Sequence, residues 1–248
     1  MKVLITGGGG FLGTAVASAL RAGGHDVTSF SRGSYPHLEA LGVAQIAGDL
    51  VDPAAVAAAS EGMDAVVHSA AKPPPWGPPE QYEAINVGGT QNVLDGCRSA
   101  GVKHLVYTST PSVVATDGAI EGGDESLPYG THFFGADYPR TKAEAERRVL
   151  AADGPDLRTV ALRPHMIWGP GDPHFLPRFV ERRRSGQLAR IGAGDPMVDT
   201  VYVDNAADAH VLALEKLVAG AAVHGRAYFI TNDERIGLWS MVDRLLAA

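Results

Sequence analysis

The chain begins with a short apolar run, Lys2 to Thr6, and breaks at once into Gly7-Gly8-Gly9-Gly10-Phe11-Leu12-Gly13, ahead of a helix-length stretch from about Leu12 to Ala22. Five glycines in seven residues, set between a strand and a helix, leave few folds open. So tight a turn needs residues without a Cβ, and such a backbone can approach a bound group closely. The helix that follows offers unpaired N–H groups and the positive end of its dipole, a setting for phosphate. Both Gly8-x-Gly10-x-x-Gly13 and Gly7-x-x-Gly10-x-x-Gly13 can be read, and a second strand, Asp26 to Ser31, stands at the distance a dinucleotide-binding βαβ unit requires.

The alternation continues. Strands fit Ala44 to Ala47, Ala65 to Ser69, His104 to Thr108 and Thr159 to Arg163, with helices over Pro53 to Ser60, Tyr82 to Ala100 and Pro139 to Ala152. The class is α/β, a Rossmann-like doubly wound parallel sheet. Lys72-Pro-Pro-Pro-Trp-Gly-Pro-Pro79 reads as loop or polyproline II, and with Trp76 embedded in it suits a rim over a crevice. From about Gly169 the regular alternation is lost. The reading is therefore a nucleotide-binding and catalytic domain over residues 1–168 and a smaller carboxyl-terminal substrate-binding portion over 169–248, interleaved with the sheet and ending in an amphipathic helix.

Composition narrows the function. A chain of 248 residues, 45% hydrophobic and 20% charged, buries one substantial core, and no apolar run reaches the length of a membrane span. The opening apolar run is too short for a secretory leader, so a cytoplasmic location is expected. The net charge of -7 opposes binding to nucleic acid, and the one dense basic cluster, Arg182-Arg183-Arg184, reads as a solvated helix face. A single cysteine, Cys97, excludes an internal disulfide and reads as a small buried hydrophobe; no metal site is expected.

An acidic residue closing the second strand would accept bonds from the adenosine ribose. Here Phe30-Ser31-Arg32 offers a hydroxyl and a guanidinium instead, which favours NADP(H) over NAD(H), although Arg32 also fits a solvated surface position.

Tyr138 and Lys142, four apart on an expected helix, share one face, where the ammonium would lower the phenol toward working pH and make it a proton donor. Thr108-Ser109-Thr110 closes a strand, and one of its hydroxyls could bond the reacting oxygen.

With these pieces in place the chain resembles the extended short-chain dehydrogenase/reductases along nearly its whole length. The matching segments are Thr6 to Gly13, Gly48-Asp49-Leu50, His68 to Ala71, Asn86-Val87-Gly88-Gly89-Thr90, Tyr107 to Thr110, Tyr138-x-x-x-Lys142, Leu162-Arg163-Pro164 and Tyr202 to Asn205. The resemblance implies cofactor contacts from Gly7, Gly10, Phe11, Leu12 and Gly13. Asp49 and Leu50 would bracket the adenine, Ser69, Ala70 and Ala71 would wall the cofactor, Asn86 would help hold it, and Lys142 would bind the nicotinamide ribose. Pro164 and His165 would border the carboxamide. It places the catalytic hydroxyl at Thr110, with Ser109 second, beside Tyr138 and Lys142.

Two branches compete. Nucleotide-sugar epimerases and dehydratases usually carry an arginine near the end of the Gly192-Ala193-Gly194 segment, where this chain has Val198, which cannot clamp a diphosphate. Thr110 to Val113, Leu127-Pro128-Tyr129, Arg163 to Asp172 and Phe229 to Glu234 look like the 3β-hydroxysteroid and sterol-4α-carboxylate dehydrogenases and the bacterial 2-alkyl-3-oxoalkanoate reductases. That resemblance implies NADPH-dependent interconversion of 3-oxo and 3-hydroxy groups on an apolar acid or sterol-like substrate. Sugar-nucleotide epimerisation with bound NAD, or NADP(H) binding without turnover, are the alternatives. Family members commonly pair as homodimers through the helices at Tyr82 to Ala100 and Pro139 to Ala152, and they continue beyond the last residue here, so part of their pocket wall is expected to be missing.

Overall fold

Along the first strand, β1 (Lys2–Thr6), Val3 and Ile5 point to one face and Leu4 to the other, yet all three are buried. A strand hydrophobic on both faces belongs at the centre of a covered parallel sheet. The structure is a computed structural model and describes the chain apart from residues 75, 76, 116, 117, 174, 191–193 and 248 and the side chains of 134 and 176. From β1 it runs through α1 (Phe11–Ala22), β2 (Asp26–Ser31), α2 (Pro36–Ala40), β3 (Ala44–Ala47), α3 (Pro53–Ser60), β4 (Ala65–His68), α4 (Pro79–Tyr82), a π-helical segment (Glu83–Gly88), α5 (Gly89–Ala100) and β5 (His104–Thr108). There follow α6 (Asp137–Ala151), β6 (Arg158–Pro164), β7 (Met166–Trp168), α7 (Phe175–Arg184), β8 (Met197–Tyr202), α8 (Val203–Val218), β9 (Arg226–Ile230), β10 (Arg235–Gly237) and α9 (Leu238–Ala247).

Seven strands form a parallel sheet in the order β3-β2-β1-β4-β5-β6-β9, and β10-β8-β7 form a small second sheet. Helices cover both faces. Val16 and Leu20 of α1 and Leu214 and Leu217 of α8 pack with Val3, Ile5 and Val67 on one side; Val56 of α3, Val93 and Leu94 of α5 and Val149 of α6 pack with Leu4, Val66 and Tyr107 on the other. The order reverses between β1 and β4, and at such a switch the carboxyl ends of the strands open into a crevice.

Four expected strands and the helix at Pro53–Ser60 appear with the expected bounds; β4 stops at His68, one residue short, and β6 takes in Arg158 and Pro164. The helix expected over Tyr82 to Ala100 is three pieces. A π turn spans Glu83–Gly88, widening the helix where Asn86 turns its side chain inward, 2% exposed, to bond the backbone of Lys72 and the Thr141 hydroxyl. Pro79, at the end of the stretch expected to be loop, starts α4, where a missing N–H costs nothing. Trp76, Gly192 and Ala193 lie outside the described residues. No helix among the described residues is long and apolar enough to cross a membrane.

Candidate active site

The glycine loop is a cradle built from backbone. Gly7 takes φ +74, and a Cβ there would fall 2.9 Å from Ala70 Cα; one on Gly13 would run into Gly7 O, and one on Gly8 into the Ser29 side chain. Gly10 N–H donates to Gly7 O at 3.0 Å, and the first intrahelical bond of α1 is Thr14 N–H to Gly10 O, so the amides of Phe11, Leu12 and Gly13 precede it. Gly10 caps α1 without a side-chain bond. Open amides at a helix start, behind glycines that leave the approach clear, fit the pyrophosphate of a dinucleotide.

Around the cradle stand the other expected contacts. Ser31 Oγ lies 3.2 Å from Ser29 Oγ, and Arg32 is exposed with no ion pair among the described residues. Asp49 accepts from Val51 N–H at 3.2 Å, and buried Leu50 is fixed by a bond from Asn92 Nδ2 to its carbonyl at 2.7 Å. Ser69, Ala70 and Ala71 follow β4 directly, half-buried, with Ala70 N–H donating to Thr6 Oγ1 at 3.2 Å. Pro164 pairs with Ile230 in the sheet; His165 N–H donates to Ile230 O at 3.0 Å, its ring packs on Phe229, and burial holds its imidazole below the ordinary value.

The three candidate catalytic residues, Thr110, Tyr138 and Lys142, lie where β5 and α6 meet. On α6, Lys142 and Glu146 continue the stripe that starts at Tyr138 and face the sheet. The Lys142 ammonium donates to Thr108 O at 2.6 Å and sits 4.1 Å from the Tyr107 ring centroid. Burial pulls its pKa down to about 7, opposed by the Glu146 carboxylate. Tyr138 corrects the expected tuning: burial pushes its phenol up to about 12, the Thr110 side chain lies close enough to pull it back, and Lys142 is not among the groups that set it. The ammonium is turned toward Thr108 and Tyr107. Thr110 also caps the turn at Pro111–Val114, accepting from Ser112 N–H at 3.3 Å, whereas the Ser109 hydroxyl is buried with no partner among the described residues.

A buried polar chain joins cradle to catalytic helix, and its donors can be assigned in sequence. Thr90 Oγ1 donates to Asn86 O at 2.6 Å, so it accepts from His68 Nε2 at 3.0 Å; His68 Nδ1 then accepts from Thr6 Oγ1 at 2.7 Å. Asn86 Nδ2 donates to Thr141 Oγ1 at 3.1 Å, between Tyr138 and Lys142. Burial and the neighbouring Lys142 push His68 down to about 3, which keeps it neutral. Behind Lys142, Glu146 is 0% exposed and takes three contacts of 2.6, 3.1 and 3.2 Å from Arg163 and one of 2.9 Å from Tyr129 Oη. Sequence reasoning gave His68, Thr90, Glu146 and Arg163 no role. A histidine ending the apolar strand Ala-Val-Val-His and a glutamate one turn past Lys142 were the available signals.

Beyond β7 a cavity of about 930 Å³ is lined by Trp168, Pro170, Pro177, Val180 and Leu245, among others, but by none of the trio. Cys97 is fully buried, with its thiol pushed up to about 12 by burial, so it is inert. No metal-binding cluster occurs among the described residues.

Residues 4–247 match the 3-beta hydroxysteroid dehydrogenase/isomerase family. The chain is 53% identical to 2-alkyl-3-oxoalkanoate reductase of Stenotrophomonas maltophilia, covering 100% of this chain and 76% of that one. It is 37% identical to sterol-4-alpha-carboxylate 3-dehydrogenase, decarboxylating, of Mus musculus, covering 99% and 68%. In fold it is similar to the UDP-glucose 4-epimerase of Thermus thermophilus in complex with NAD, with a TM-score of 0.83, 27% identity and coverage of 100% and 83%. The chain belongs to the 3-beta hydroxysteroid dehydrogenase/isomerase family and is an NAD(P)-dependent oxidoreductase.

Proposed function

We propose that the protein reduces the 3-oxo group of an apolar 2-alkyl-3-oxo acid with NADPH, residues 1–168 serving cofactor and catalysis and 169–248 the substrate. The observation that carries this reading is geometric: the Tyr138 phenol lies within hydrogen-bond reach of the Thr110 side chain, one helical turn from Lys142, whose ammonium is anchored on Thr108 O. At neutral pH such a phenol is protonated, and a proton donor is what reduction of a ketone requires. Identity to an oxoalkanoate reductase across the whole chain supports the substrate class. Exposed Arg32 after Ser31, with no acid closing β2, supports NADPH.

Bound in the cradle, the reduced nicotinamide would supply the hydride. The chain's own residues do the rest. Thr110 donates a hydrogen bond to the carbonyl oxygen, and Tyr138 passes its proton to that oxygen as charge develops there. Lys142, anchored on Thr108 O, offers its remaining donors to the nicotinamide ribose. Pro164 and His165 border the carboxamide. A cytoplasmic homodimer pairing through α5 and α6 completes the proposal.

The test is oxidation of NADPH and of NADH against 2-alkyl-3-oxo acids, sterol ketones and UDP-sugars. The reading expects NADPH oxidation with the oxo acids. Turnover of UDP-sugars without added reductant would replace it with the epimerase alternative, and cofactor binding with no turnover of any ketone would replace it with a binding role.

A further inference from the structure

Lys72 lies at the carboxyl end of β4, three residues past Ser69, and its backbone is held on both sides by one side chain. Lys72 N–H donates to Asn86 Oδ1 at 2.7 Å, and Asn86 Nδ2 donates to Lys72 O at 3.3 Å. The same Nδ2 bonds Thr141, one residue before Lys142, so Asn86 fixes Lys72 relative to the catalytic helix. The ammonium of Lys72 lies 5.0 Å from the centroid of the Tyr82 ring. Tyr82 is 3% exposed, donates to Pro73 O at 3.2 Å, and its phenol stands near enough to Tyr138 to raise it. Lys72 and Tyr138 therefore flank the same tyrosine. Gly77 lies close to the ammonium: a Cβ there would fall 2.6 Å from Nζ and push the lysine end aside.

Three other cations around Tyr138 and its helix are committed. Lys142 bonds Thr108 O and covers Tyr107, Arg163 is spent on Glu146, and Arg140 pairs with Glu83 and Asp137. His165 is held toward its neutral form by burial. No carboxylate among the described residues pairs with Lys72. Lys72 is a half-buried residue whose ammonium meets one ring face and no carboxylate among the described residues, which leaves it short of a counter-ion.

We propose that Lys72 is the binding residue for the carboxylate of a 3-oxo acid substrate. This rests on the reductase reading above. In such an acid the carboxylate is two bonds from the carbonyl carbon, so a cation that receives it must lie near the proton donor, and Lys72 shares the Tyr82 side chain with Tyr138 as a neighbour. The ion pair then fixes the ketone with its oxygen toward Thr110 and Tyr138, and selects acids over neutral ketones of equal apolar bulk.

The experiment compares NADPH oxidation by wild type, Lys72→Met, Lys72→Gln and Lys72→Arg on a 2-alkyl-3-oxo acid and on its methyl ester. Wild type is expected to prefer the acid. The acid-over-ester ratio in kcat/KM should fall about tenfold to a hundredfold in Lys72→Met and Lys72→Gln, chiefly through KM for the acid, and recover in large part in Lys72→Arg. Wild type that uses acid and ester equally well, or a variant ratio that does not move, would overturn Lys72's role while leaving the reductase standing. Wild type that reduces neither compound would end both. If Lys72→Met fails to fold, the ratio in Lys72→Gln decides the matter.

Discussion

The cofactor cradle after β1 and the candidate catalytic end after β5 have one strand, β4, between them, yet they are made in opposite ways. The cradle is backbone: Gly7, Gly8 and Gly13 stand where a Cβ would strike a neighbour, and the only groups offered are amides. The catalytic end is side chain: Lys142, Glu146, Arg163, His68 and Thr90 are all buried polar groups that depend on one another for partners. A site built from backbone tolerates no added atom; a site built from buried charge tolerates no lost one.

Breaking the second kind should cost most. Glu146→Gln leaves the Arg163 guanidinium buried without its counter-charge, and a loss of about 3–5 kcal/mol of stability is expected in chemical denaturation. A loss under about 1 kcal/mol would mean the pair is relaxed by water. On the cradle side, Gly13→Ala forces a methyl group against Gly7 O; about 3 kcal/mol of stability and most NADPH binding should go with it, read by thermal melting with and without NADPH.

The bridge between the two regions comes next. His68→Leu leaves the Thr6 O–H without its acceptor and takes one donor from Thr90, at about 1–3 kcal/mol. It has a pH signature as well. The folded pKa of His68 is depressed to about 3 from an unfolded value of about 6.5, so the unfolded chain binds the extra proton between those values. Wild type should therefore lose stability as pH falls from about 6.5 toward about 3, and His68→Leu should flatten that loss by up to one proton. His210, held down to about 4 by burial, adds to the same wild-type slope and stays in the variant. The smallest effect is at the rim: Arg32→Ala should raise KM for NADPH by about tenfold and leave that for NADH within about twofold. Equal changes for both would return Arg32 to the surface.

The same contrast explains what could be read in advance. The glycine requirement is local, so the cradle, the first two strands and α1 stand in the sequence as a contiguous pattern. The shared face of Tyr138 and Lys142 was legible because i, i+4 spacing on a helix is also local. The partners of the trio were not. His68 meets Thr6 across 62 residues and Thr90 across 22, and Arg163 reaches Glu146 only because β6 lies beside α6. Nothing along the chain announces such pairs. The tuning of Tyr138 was misjudged for a related reason: spacing placed Lys142 on its face, but the carbonyl of Thr108, from another element, decided where the ammonium points. The π turn at Asn86 likewise answers to Lys72 and Thr141, which the helical pattern of 82–100 does not contain.

The reductase reading stands or falls with Tyr138 as the proton donor of a nicotinamide-dependent reduction. What decides it is kcat for NADPH-dependent reduction of a 2-alkyl-3-oxo acid by Tyr138→Phe, beside its Kd for NADPH. A fall of about a hundredfold or more in kcat is expected with NADPH affinity retained, because the ring stays and only the proton is lost. Turnover equal to wild type would refute the assignment.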